Sequence, residues 1–112
     1  MAARLRASYR RFDDATWRQH LQGFGLGPHL AKPLFALSTG SRRKVWLAAA
    51  LSAGCTLTLL DEPTAGLDTP SVAYLVRALT DCAAWPGRAV VVASGVPLEG
   101  VPLAGVVALP LA

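Results

Sequence analysis

"LSTGSRRKVWLAAALSAGCTLTLLDEPTAGLD", residues 37–68, decides the fold. Small polar residues, Ser38 to Ser41, stand where a helix begins. The helix is expected over about Arg42–Ser52, because Ala48, Ala49, Ala50 and Leu51 are strong helix formers. Gly54 ends it. TLTLL, residues 56–60, then reads as a strand. Its nearly uninterrupted apolar character suits a parallel sheet covered on both faces. The strand runs straight into two adjacent carboxylates, Asp61 and Glu62.

That placement carries chemistry. In an open parallel sheet, ligands sit beyond the carboxyl ends of the strands. Asp61 at the strand tip is suited to hold Mg²⁺ through water, since hard cations take oxygen ligands. Glu62 points elsewhere and is suited to polarise a water molecule for attack on phosphorus. A helix-capping acidic turn is the alternative for these two residues taken alone. Ser38, Gly40 and Ser41 bring amides and hydroxyls to a helix N-terminus, where the helix dipole favours an anion. Arg42, Arg43 and Lys44 raise the potential there. An ordinary serine N-cap is the alternative reading.

Working outward, Thr69 is expected to cap a further helix that Pro70 opens. Val72, Ala73, Val76 and Leu79 recur at helical spacing to about Cys82. AVVVAS, residues 89–94, reads as a second buried strand, and GVVAL, residues 105–109, as a third. Strand, helix, strand in this order implies an α/β architecture with a right-handed crossover. Upstream, residues 1–12 read as a loop or frayed arm. Asp13 or Asp14 caps a short helix to about Leu21, with Trp17, Leu21 and Phe24 as its buried face. GFGLGPHLAKPL, residues 23–34, is turn-rich, and Pro33 bars a long helix.

The chain has 112 residues, enough for one modest domain with a core. Net charge is +4 and uneven: residues 1–44 hold nine Lys/Arg against two Asp, the rest two Arg against five acids. A solvated basic face is the plain reading; a basic arm for nucleic acid or anionic lipid, and a basic surface for a membrane-associated subunit or an anionic ligand, are the alternatives, and no nucleic-acid partner is expected. Cys55 and Cys82 lack metal-ligand spacing and read as core thiols of a reducing compartment. The 16 uncharged residues between Lys44 and Asp61 fall short of the roughly 20 that a membrane span needs.

Taken together, LSTGS, TLTLLDEP and AGLD (residues 65–68) resemble, in order and spacing, the ATP-binding subunit of ABC transporters. LSTGS is similar to the family signature Leu-Ser-Gly-Gly-Gln, with Thr39 for its third-position glycine and Ser41 for its glutamine. TLTLLDEP resembles the Walker B strand with its glutamate, and AGLD the D-loop. The resemblance covers about residues 13–98. It implies a P-loop NTPase-like parallel sheet, present in part: residues 1–36 as an arm and part of the helical subdomain, residues 37–112 as the signature helix and α/β core. It implies that Ser38 and Gly40 contact the γ-phosphate of ATP held by a second cassette subunit, with Thr39 and Ser41 also among the ATP-binding residues. Asp61 would position Mg²⁺, Glu62 would be the general base, and Asp68 would link the two sites of the dimer. It further implies a transmembrane permease as partner, and a place in the cytoplasm on the inner face of the membrane.

Two family features are missing from these residues. No G-x-x-x-x-G-K-[ST] phosphate loop occurs, and neither Lys32 nor Lys44 follows a glycine loop. The family's switch histidine falls at Gly95, and His20 and His29 lie far upstream. The expectation is the C-terminal half of a cassette, inactive alone for want of that loop and that histidine, and aggregation-prone because a sheet edge lacks its partner. A degenerate module lending its signature in trans, and a fragment of a chromosome- or repair-type ATPase, stay open as other readings.

Overall fold

The computed structural model describes residues 2–27 and 37–110; His29, Lys32 and Pro33 lie outside that range. The elements are α1 (Ala2–Ser8), α2 (Asp14–Gly23), α3 (Thr39–Ser52), β1 (Leu57–Asp61), α4 (Thr69–Ala83) and β2 (Ala89–Ala93). β1 and β2 pair in parallel, Leu57 opposite Ala89 through Asp61 opposite Ala93. α4 makes the connection between them, giving one strand–helix–strand unit of an α/β sheet. α2 packs on α3, and α4 packs on β2.

Asp13 is the N-cap of α2 and accepts from the Ala15 amide. Trp17, Leu21 and Phe24 are buried, as the helical spacing predicts. Burying each such side chain stabilises the fold by roughly 1.5–3 kcal/mol. They meet Val45, Leu47, Ala48 and Leu51 of α3 and Leu75 and Leu79 of α4 in one core. Cys82 is buried with them, and Cys55 is half-buried.

Four expectations need correction. Residues 2–8 are helical rather than a loop: Ala, Arg and Leu are good helix formers, Leu5 docks in the core, and Arg6 pairs with Asp14 at 2.7 Å. Asp68, not Thr69, caps α4, because its side chain accepts the Ser71 amide at 3.3 Å. The strands are covered on one face only. Thr58, Leu60, Val90 and Val92 turn inward, whereas Leu57, Leu59 and Val91 share the opposite face and Leu59 is 69% exposed. Residues 105–109 form no strand; Val107 is 84% exposed. A strand needs a ladder partner, and GVVAL has none among the described residues.

His20 is a core residue, as an inward turn of α2 makes it. Its Nδ1 lies 2.7 Å from the Tyr74 hydroxyl, and its Nε2 is buried with no partner among the described residues. Burial pushes its pKa below the ordinary 6.5, against a smaller upward pull from Asp81. A depressed histidine pKa means the unfolded chain binds the proton more tightly. The stability His20 contributes is therefore complete above pH 6.5 and is lost as pH falls through the folded-state value. The urea midpoint is expected to drop between pH 7.5 and 5.5, and the drop to shrink in His20→Gln. An equal drop in both proteins would assign the effect elsewhere.

Candidate functional site

Ser38 precedes α3 with extended backbone, and its Oγ accepts the Ser41 amide at 3.1 Å. Its hydroxyl donates to Ser41 Oγ at 3.1 Å. The amides of Thr39 and Gly40 lie in the first turn, where no intrahelical carbonyl reaches them. Ser38 and Thr39 are exposed, so this end of α3 opens to solvent. The serine is at once the helix cap and an accessible hydroxyl.

The first turn of α3 backs onto the AGLD turn. A Cβ on Gly40 would sit 3.3 Å from the Gly66 carbonyl oxygen, so glycine permits that approach. Gly66 itself has φ 72°, a backbone state that favours glycine. Lys44 Nζ lies 3.5 Å from Asp68 Oδ1. The Ser71 hydrogen bond above all, helped by the Lys44 charge, holds the Asp68 carboxyl below its ordinary value against the opposing effect of desolvation. Asp68 thus ties the signature helix to the start of α4 within the chain.

Asp61 is the last residue of β1 and is exposed. Among the described residues no group of three or more His, Cys, Asp or Glu is placed to hold a metal. A single carboxylate is still a fit for Mg²⁺, which keeps several waters and takes one or two carboxylates plus phosphates.

Glu62 is the most constrained residue of the site. It is the one non-glycine with positive φ among the described residues, at 45°. That backbone costs on the order of 1–3 kcal/mol in a non-glycine residue. Its amide donates to the Ala93 carbonyl at 2.7 Å, continuing the ladder past β1. Its carbonyl accepts from Arg43 Nη2 at 2.6 Å. Its Oε1 accepts the Gly95 amide at 2.6 Å, and the Ser94 hydroxyl stands 3.5 Å from Oε2. Gly95 therefore reaches the carboxylate through its main chain, a contact that no side-chain pattern announces.

The structure brings Glu62 beside Gly95, and Gly40 beside Gly66. Arg43, Ser94 and the Gly95 amide were not singled out individually by the sequence. The family model described as "ABC transporter" matches residues 5–65, more than half of the chain. The chain is 48% identical over 48 residues to the iron(3+)-hydroxamate import ATP-binding protein FhuC of Bacillus subtilis (strain 168), covering 43% of this chain and 18% of that protein. It is 37% identical over 87 residues to the phosphonates import ATP-binding protein PhnC 1 of Rhodopseudomonas palustris (strain HaA2), 75% of this chain and 31% of that one. It is 42% identical over 76 residues to the energy-dependent translational throttle protein EttA of Mycobacterium tuberculosis (strain ATCC 25618 / H37Rv), 67% of this chain and 13% of that one. The chain thus spans less than a third of each of these relatives. The motif order, the parallel strand pair ending in Asp61 and the family match agree: the chain belongs to the ABC transporter family, as part of its ATP-binding module.

Proposed function

We propose that the chain supplies the signature and Walker B portion of an ATP-binding cassette that couples ATP binding and hydrolysis to transport through a membrane permease. The observation that carries this reading is the open N-terminus of α3 at Ser38–Ser41, backed by the AGLD turn. Bound Mg-ATP supplies the electrophilic γ-phosphate and the charge that the metal neutralises. Ser38, Thr39, Gly40 and Ser41 donate to that phosphate from amides and hydroxyls, on ATP held by a second cassette subunit. For this, the Ser38 hydroxyl turns away from Ser41 Oγ. Asp61 orients the metal's water shell, and Glu62 accepts a proton from the attacking water. Asp68 borders the interface between subunits. Residues 1–36 form the arm and part of the helical subdomain that faces the permease, with residues 37–112 as the core. The assembly works at the cytoplasmic face of the membrane.

The second reading is a non-hydrolysing module that gives its signature in trans to a partner ATPase. It is favoured by Gly95, which offers no imidazole at the position that the family resemblance gives to the switch histidine. Both readings share one test. Charge-assisted hydrogen bonds are worth about 1.5–3 kcal/mol each, so a few of them support ATP-dependent association with a complete cassette subunit. Ultracentrifugation should show that association, Ser38→Arg should abolish it by filling the anion site, and Glu62→Gln should leave it nearly intact. Association that ignores ATP, or that survives Ser38→Arg, defeats the composite site.

A further inference from the structure

Arg43 stands on the inner side of the signature helix and reaches both Glu62 and Gly66. Its Nη2 donates to the Glu62 carbonyl at 2.6 Å. Its Cδ lies against Gly66, 3.6 Å from where a Cβ would be. Its Nε is buried with no hydrogen-bond partner among the described residues. An arginine packed this closely, with one donor committed and another left without a partner, is held by what that single committed bond achieves.

The bond falls on the peptide that follows the left-handed Glu62. Residues in that backbone state persist when surrounding contacts over-determine them. Contacts from three directions do so here: the Ala93 carbonyl below, the Gly95 amide and Ser94 hydroxyl on the carboxylate, and on the carbonyl both Arg43 and, from within the turn, the Ala65 amide at 3.1 Å. Ala93, Ser94 and Gly95 belong to β2 and the residues after it, and Ala65 to the turn that follows Glu62 itself. Only Arg43 comes from α3.

We propose that Arg43 is a positioning residue that links the signature helix to the Glu62 carboxylate. By bracing the Glu62 carbonyl from α3, in addition to the Ala65 amide within the turn, it keeps the side chain aimed at the Gly95 amide, which takes over the orienting contact where no side chain is available at position 95. A shift of the first turn of α3, such as an anion bound there would cause, passes through Arg43 to Glu62. This rests on the reading of Glu62 as the general base, but its test involves no nucleotide.

The test is site-resolved hydrogen exchange on the full 112-residue chain. In the unsubstituted protein the Gly95 amide should exchange clearly more slowly than an open chain. Arg43→Met keeps the stem against Gly66 and removes the donors. It should speed Gly95 exchange roughly tenfold, the effect of one hydrogen bond to a charged group, while amides of α2 are unchanged. Arg43→Lys, which keeps a donor, should recover part of the protection. The proposal fails if Gly95 exchanges at the open-chain rate to begin with, or if Arg43→Met leaves it unchanged. It also fails if α2 amides accelerate equally, because Arg43 would then be merely structural. Failure here leaves the association experiment standing, and failure of that experiment leaves this one standing.

Discussion

Incubated alone with Mg-ATP, the 112-residue chain is expected to release phosphate at the background rate, indistinguishable from its Glu62→Gln variant. Phosphoryl transfer is catalysed by positioning and by donors aimed at developing charge. On the proposed reading, Asp61 and Glu62 would provide the acidic part of that arrangement. The residues that cradle the β- and γ-phosphates, a glycine loop and its lysine, do not occur among these 112. Removing one oriented donor from an active site costs about 10²–10³ in rate, and the loop carries several. Gly95 adds no imidazole, and its amide is committed to Glu62. A steady-state phosphate assay decides the matter: turnover that Glu62→Gln abolishes would show a complete site in this chain.

Substituting alanine for Gly54 is expected to destabilise the fold by about 2–5 kcal/mol. Gly54 follows α3 with φ 72°, and a methyl group there would overlap the carbonyl oxygen and Cβ of Arg11. The left-handed backbone alone costs a non-glycine roughly 1–2 kcal/mol. The overlap adds an overpacking cost, because the Arg11 main chain is pinned nearby by the Asp13 amide on the Ser52 carbonyl at 3.1 Å. Gly87 isolates the first contribution: it has φ 73° and open space where a Cβ would go. Gly87→Ala should therefore cost the smaller amount. Equal urea midpoints for the two variants would mean that the junction between residues 11 and 54 is not rigid.

The elements set by local chemistry were legible in the sequence. Trp17, Leu21 and Phe24 state one helical face, Ser38 states a cap, and LTLLD states a strand with a carboxylate at its tip. The cap of α4 falls on Asp68, one residue before the expected Thr69, because both side chains can accept at an N-cap and Asp is the stronger of the two. The helix over Ala2–Ser8 was missed because its stability is tertiary: it hangs on Leu5 and on Arg6 meeting Asp14. The GVVAL segment has strand composition, but composition does not supply a partner. In the site, Ser38, Gly40, Asp61 and Glu62 were readable as residue types. The Gly95 amide was not, since every non-proline residue offers one and only the fold aims it.

The uncovered side of the β1–β2 ribbon bears on the life of the protein in a cell. Leu57, Leu59 and Val91 form there a stripe of apolar side chains, the kind of surface that chaperones and proteases use to sort finished proteins from unfinished ones. A copy whose stripe is covered is expected to escape that sorting and a bare copy to be cleared, so the chain is expected to accumulate in step with whatever shields it.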